Sequence, residues 1–105
     1  MYLYYVIKSK ETMKATVKTN TASSAAESFE FEVPQMIGSE KQIEWAESIF
    51  VDVISGLCNM VSGKMQNANV KAQYDMILAK LSLQTSAKFW IDNRSLNFQT
   101  IYKML

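Results

Sequence analysis

The chain has 105 residues and a formal charge of +1, with 49% hydrophobic and 20% charged residues, 3 Gly and 1 Pro. That is the composition of one globular domain spanning 1–105, long enough to bury roughly 60–70% of its unfolded surface. With no His and one Cys, it lacks imidazole acid/base catalysis, Ser-His and Cys-His nucleophile pairs, His-containing or multi-cysteine metal sites and an internal disulfide. The composition therefore points away from an enzyme, and we assign no catalytic residue, no metal ligand and no cofactor.

The first apolar run, Tyr2 to Lys8, has Tyr, Leu, Val and Ile on both alternation phases, which predicts a strand covered on both faces or one whose tyrosines lie along a sheet face at the surface. It has no basic leader and no small-residue cleavage site, so it reads as a strand and not as a secretion signal. Segment 13–18 alternates Met13, Ala15 and Val17 with Lys14, Thr16 and Lys18, a half-exposed strand. Residues 19–27 are polar and small and read as a flexible loop. Segment 28–33 alternates again, with Phe29, Phe31 and Val33 inward and Glu30 and Glu32 outward, so that antiparallel pairing sets a Lys row against a Glu row.

Pro34 ends the strand region 1–33, and residues 39–105 read as helical. Ser39-Glu40-Lys41-Gln42 is a capping box. After it, Ile43, Ala46, Phe50, Val53, Ile54, Leu57 and Val61 recur at three- and four-residue steps, predicting a helix of about 23 residues that closes near Gly63. A second stripe runs from Asn67 through Val70, Tyr74, Ile77, Leu78 and Leu81. Thr85 or Ser86 can cap a third helix over 87–94, and Phe98, Ile101, Tyr102 and Leu105 make a last amphipathic turn or two that can continue it. Strands first and helices after predict an α+β domain: a small antiparallel sheet of about three strands packed against three or four helices. No stretch reaches the roughly 18–20 apolar residues of a membrane span, and a lone Cys58 in an apolar helical context suits a reducing cytoplasm.

Charge is patterned although it nearly cancels. Residues 1–26 set four Lys against one Glu, residues 27–54 set seven acidic residues against Lys41, and residues 55–105 set six basic residues against two acidic ones. An acidic middle between basic ends means either internal pairing, the plainer reading, or an acidic surface that meets a basic partner. The candidate surface is the outer face of the first helix with Glu40, Glu44 and Glu47. Trp45 falls at the edge of the apolar stripe, where an indole either seals the core, the plainer reading, or anchors a partner. In Phe89-Trp90-Ile91-Asp92-Asn93-Arg94 the apolar triplet cannot face one way, so it either locks the third helix to the first or forms an epitope led by Trp90 and Arg94.

Two stretches, Val33-Pro34-Gln35-Met36-Ile37-Gly38-Ser39-Glu40-Lys41-Gln42-Ile43-Glu44-Trp45-Ala46-Glu47-Ser48-Ile49 and Ala87-Lys88-Phe89-Trp90-Ile91-Asp92-Asn93-Arg94, cover about a quarter of the chain. Their pairing resembles a group of short proteins from phages and other bacterial mobile elements. In that group an Arg tends to follow the first stretch, where this chain has Phe50. The resemblance implies a mobile-element origin, and small proteins of such elements often bind and disable a host machine. Anti-CRISPR proteins are similar in size, in lacking catalytic residues and in patterned charge. The expectation is a binding factor in the bacterial cytoplasm whose partner is a host protein such as an RNA-guided nuclease, met by Glu40, Glu44, Trp45, Glu47, Trp90 and Arg94. Two other readings are a nucleic-acid accessory protein using Lys64, Lys71, Lys80, Lys88 and Arg94, and a structural homodimer.

Overall fold

The computed structural model describes residues 13–19 and 27–105. Strands β1 (Met13–Thr19) and β2 (Glu27–Val33) pair antiparallel, with Met13 opposite Val33 and Thr19 opposite Glu27. The alternation sorts their side chains as expected: Val17, Phe29, Phe31 and Val33 are buried, while Lys14, Lys18, Glu30 and Glu32 face out. Lys14 lies opposite Glu32, whereas Lys18 faces Ser28 and reaches Glu30 only diagonally. Among the described residues the sheet has two strands instead of about three; the strand expected over 2–8 and residues 20–26 of the expected loop lie outside them. Thr19 and Glu27, expected in that loop, belong to the strands because the ladder runs one pair further at its loop end.

Helix α1 (Glu40–Val61) starts at the capping box. The Gln42 N–H donates to Ser39 Oγ at 3.2 Å, and the Ser39 N–H donates to Gln42 Oε1 at 3.0 Å, satisfying two N–H groups that a helix start leaves without partners. Its apolar stripe is buried from Ile43 to Val61, with Ala46, Phe50, Ile54, Leu57 and Cys58 sealed completely. Each of the large aliphatic or aromatic members contributes about 1.5–3 kcal/mol. Gly63, at φ 78°, turns the chain out of the helix in the left-handed conformation that an L side chain resists. Beside it, Ser62 Oγ lies 2.6 Å from Thr19 Oγ1, both buried, so a hydroxyl pair ties the end of β1 to the end of α1.

Helices α2 (Ala68–Ser82), α3 (Ala87–Asp92) and α4 (Phe98–Met104) are capped by Asn67, Ser86 and Asn97, each side chain accepting from a backbone N–H of the first turn. The third helix is shorter than the expected 87–94 and is not continuous with the last. Asn93 Nδ2 donates to Phe89 O at 2.8 Å, and a turn leads to the new cap at Asn97.

Among the described elements, α1 packs most extensively against α3. The Trp90 ring meets Phe50 edge-on at 5.3 Å, and Phe50 meets Phe31 of β2 at 6.1 Å, so one aromatic chain links the third helix, the first helix and the sheet. The segment before α1 is fixed to the same place. The Ile37 N–H donates to Thr85 O at 2.7 Å and the Ala87 N–H donates to Ile37 O at 3.0 Å, an isolated parallel bridge.

Two glycines test this packing in opposite directions. A Cβ at Gly38 would sit 3.0 Å from both Ala87 Cβ and Gln42 Oε1, so Gly38→Ala is expected to cost about 1–3 kcal/mol by forcing α3 and the capping box apart. At Gly56, inside α1, a Cβ would meet only Phe98 Cδ1 at 3.8 Å, and Gly56→Ala is expected to gain about 0.5–1 kcal/mol from helix propensity. Urea unfolding of the two variants checks both signs.

Candidate functional site

Because α1 is pinned on one side by its apolar stripe, its other faces are defined by the 3.6-residue turn. Glu40 and Glu44, four residues apart, share one outward edge; Glu44 is exposed and Glu40 partly so. Glu47, partly buried, lies on the side of that edge nearer the sealed residues. Trp45 is about 100° further round than Glu44, in the opposite sense, and shares its face with Lys41 one turn before and Asp52 two turns after. The expected acidic face and its aromatic are thus neighbouring faces of one helix and not one patch.

The indole of Trp45 is 49% exposed. It does not seal the core. The guanidinium of Arg94 lies over its ring, 5.2 Å from the centroid, and is itself steadied by Nη1 donating to Ile91 O at 2.7 Å. A cation over an indole face is worth about 0.5–1 kcal/mol at an exposed site, which is enough to favour one pose of both side chains. Next to this corner a groove of about 300 Å³ runs between α1 and the start of α4, floored by Ile49, Val53 and Phe98 and edged by Asp52, Arg94 and Asn97. Gly56 opens it, since the helix carries no side chain there.

Trp90 has to be reassigned. It is completely buried, its Nε1–H donating to Gln84 O at 2.9 Å and its ring set edge-on to Phe50 and Phe89. A buried indole with its polar atom satisfied is a structural lock and offers a partner nothing. Of the six candidate residues, the structure brings Trp45 and Arg94 into contact, sets Glu40 and Glu44 on the adjoining edge, leaves Glu47 partly buried and removes Trp90 from the surface.

The internal pairing that the charge pattern suggests is seen in part, within single helices. Lys71 pairs with Asp75 at 3.1 Å and Lys88 with Asp92 at 2.7 Å, each within its own helix. The Asp92 carboxylate also raises the Lys88 ammonium above its ordinary range. Lys80 sits over the Tyr102 ring at 4.5 Å. Among the described residues, Glu40 and Glu44 have no ion-pair partner.

Among the described residues, no three His, Cys, Asp or Glu side chains converge as a metal site, and no helix is long and apolar enough to cross a membrane. No family model, curated protein or solved structure matches the chain. Sequence reasoning missed Asp52 as a member of the groove and missed the groove itself. The usable signal was the i, i+4, i+7 series formed by Trp45, Ile49 and Asp52, which places an aromatic, an apolar and an acidic residue along one line of the helix.

The one thiol is placed for packing. Cys58 is sealed under α1 against Tyr74, and burial pushes its pKa up, the Tyr74 contact opposing this only in part. Burial raises Tyr74 as well, with the neighbouring Cys58 adding to the effect. Both groups are neutral when protonated, so the fold favours their protonated forms. The stability this confers is complete below their ordinary values of 9.0 and 10.0 and is lost as pH rises through the raised ones. The urea midpoint is expected to fall as pH rises above about 9–10, with a shallower fall in Tyr74→Phe. A thiol reagent should leave Cys58 unmodified until the protein is denatured.

Proposed function

We propose that the protein is a non-enzymatic binding factor that holds a partner protein through the Trp45–Arg94 corner and the adjoining Glu40/Glu44 edge. The observation that carries this reading is the half-exposed indole fixed under a guanidinium. Trp and Arg are the residue types that dominate interface energies, and a side chain already held in one pose loses little entropy when a partner covers it. The carboxylates of Glu40 and Glu44, which form no ion pair among the described residues, add attraction for a basic surface and speed encounter with it.

The resemblance of 33–49 and 87–94 to mobile-element proteins supplies the class of partner. A bacterial defence nuclease guided by RNA offers a basic nucleic-acid channel, and an acidic helix edge beside an aromatic anchor competes for such a channel. In this reading the protein is an anti-CRISPR-type inhibitor acting in the bacterial cytoplasm. The nucleic-acid accessory reading is less favoured, because Lys71 and Lys88 are each paired with a carboxylate on their own helix and Lys80 lies over the Tyr102 ring.

Expression in bacteria with active RNA-guided immunity is expected to restore plating of a targeted phage, and the purified protein to retain the nuclease on a column. Retention should weaken with salt as the screening length contracts from about 10 Å at 0.1 M to about 3 Å at 1 M. Trp45→Ala should weaken it about 30-fold with the circular dichroism spectrum unchanged, and Glu44→Lys should both weaken it and flatten its salt dependence. Direct retardation of single- or double-stranded DNA in a gel, with no protein partner present, would decide for the accessory reading instead.

A further inference from the structure

We infer that the groove between α1 and the start of α4 binds a small zwitterion: a free α-amino acid with an apolar side chain the size of leucine's. The groove shares Arg94 with the corner assigned to the partner protein. The inference does not rest on that assignment, because the ligand is taken up by the protein alone.

The groove is a place where the core of α1 reaches water. Ile49, Val53 and Phe98 on its floor each keep 7% exposure, whereas Phe50, Ile54 and Leu57 beside them keep none. The floor stays uncovered because the line that runs from Ile49 to Val53 continues to Gly56, which sends no side chain over it. An apolar body laid there takes the floor and itself out of water together. The volume, about 300 Å³, lies at the lower end for small-molecule sites and suits a ligand of one residue.

The rim supplies charges of both signs. Asp52 and Arg94 are exposed and edge the same groove, yet they form no ion pair with each other or with any other described residue. What keeps them apart is the anchoring of the cation. Arg94 lies over the Trp45 ring with Nη1 donating to Ile91 O, and Asp52 is two helical turns beyond Trp45, roughly 10 Å along the axis. A guanidinium has N–H donors to spare after one such bond. Asn97 adds to the rim, its Oδ1 taken by the Thr100 N–H, so that its amide N–H groups are the ones left to donate.

A carboxylate and a guanidinium held apart across an apolar floor are complementary to a ligand that carries an ammonium and a carboxylate on one apolar body. The ammonium donates to Asp52, the carboxylate accepts from Arg94 and Asn97, and the side chain covers Ile49, Val53 and Phe98. Both polar contacts are charge-assisted. The interior of a peptide carries neither charge and a chain end carries one, so only the free amino acid satisfies both sides of the rim.

The test is a titration of the full chain with L-leucine, followed in amide NMR spectra with no nuclease or other protein present. Saturable shifts are expected at Gly56, Leu96 and Asn97. Leucinamide, which lacks the carboxylate, and N-acetyl-leucine, which lacks the ammonium, should each bind about 10-fold more weakly, the loss expected from one charge-assisted contact. Asp52→Asn should weaken leucine to the level of N-acetyl-leucine and leave N-acetyl-leucine itself unchanged, a pattern that a merely structural role of Asp52 would not produce. Gly56→Leu, which fills the groove from α1, should abolish the shifts with the circular dichroism spectrum unchanged. No saturable shift at tens of millimolar leucine would overturn the inference, as would shifts confined to other parts of the chain. Equal or tighter binding of leucinamide or N-acetyl-leucine would assign the groove to a peptide end instead. Since the partner protein is absent throughout, each of these results leaves the nuclease reading to its own experiment.

Discussion

An indole can be taken fully out of water only where its N–H finds an acceptor, and the rest of this structure depends on Trp90 having found one. Gln84 O receives that hydrogen bond from the turn just before α3, while the ring face and edge are closed by Phe50 and Phe89. The six-residue helix α3 is too short to be stable by itself. It persists because the indole fastens it to α1 and because the Ile37 bridge holds its first residue. Once α3 is fixed, so is the turn after it. The end of α3 presents the Ile91 carbonyl that steadies Arg94, and Arg94 in turn lies over the ring of Trp45. A buried tryptophan thus positions an exposed one.

The same dependence explains why two stretches of sequence some forty residues apart belong together. Gly38 approaches Ala87, Trp45 lies under Arg94, and Phe50, just past the first stretch, packs on Trp90. Most residues in the two stretches are accounted for by this mutual fit: the capping box, the close approach at the glycine, the buried indole and the Asn93 stop. Phe50 occupies a place where a cation would be stranded without water between Phe31 and Trp90. What the fit leaves over for a partner is Trp45, Arg94 and the outward carboxylates.

Much of this was legible in the amino-acid order because it is local. A capping box, a 3.6-residue apolar stripe and a strict alternation each state their structure within a few residues, and α1, β1, β2 and the cap at Ser86, one of two residues that could serve there, follow from them. The placement of the two tryptophans was not legible, since both sit beside apolar neighbours and only the crossing of α1 and α3 decides which is covered. The bridge from Ile37 to Ser86 is made by backbone groups that every residue carries, so no side chain announces it. The exposure of Met76 is consistent with the second stripe, which puts Tyr74 and Leu81 on the buried side of α2.

The bridge between Ile37 and Ser86 also bears on how the chain reaches its native state. It joins residues about fifty positions apart, whereas the hairpin and the capping box close over short spans, and loop closure of that length carries a larger entropic cost. Short-range closure thus favours the hairpin and the start of α1 over the contact of α3. During ribosomal synthesis the Phe50 side of α1 emerges well before the indole that will shield it. For that interval the nascent polypeptide exposes its greasiest strip, the kind of surface that holdase chaperones recognise.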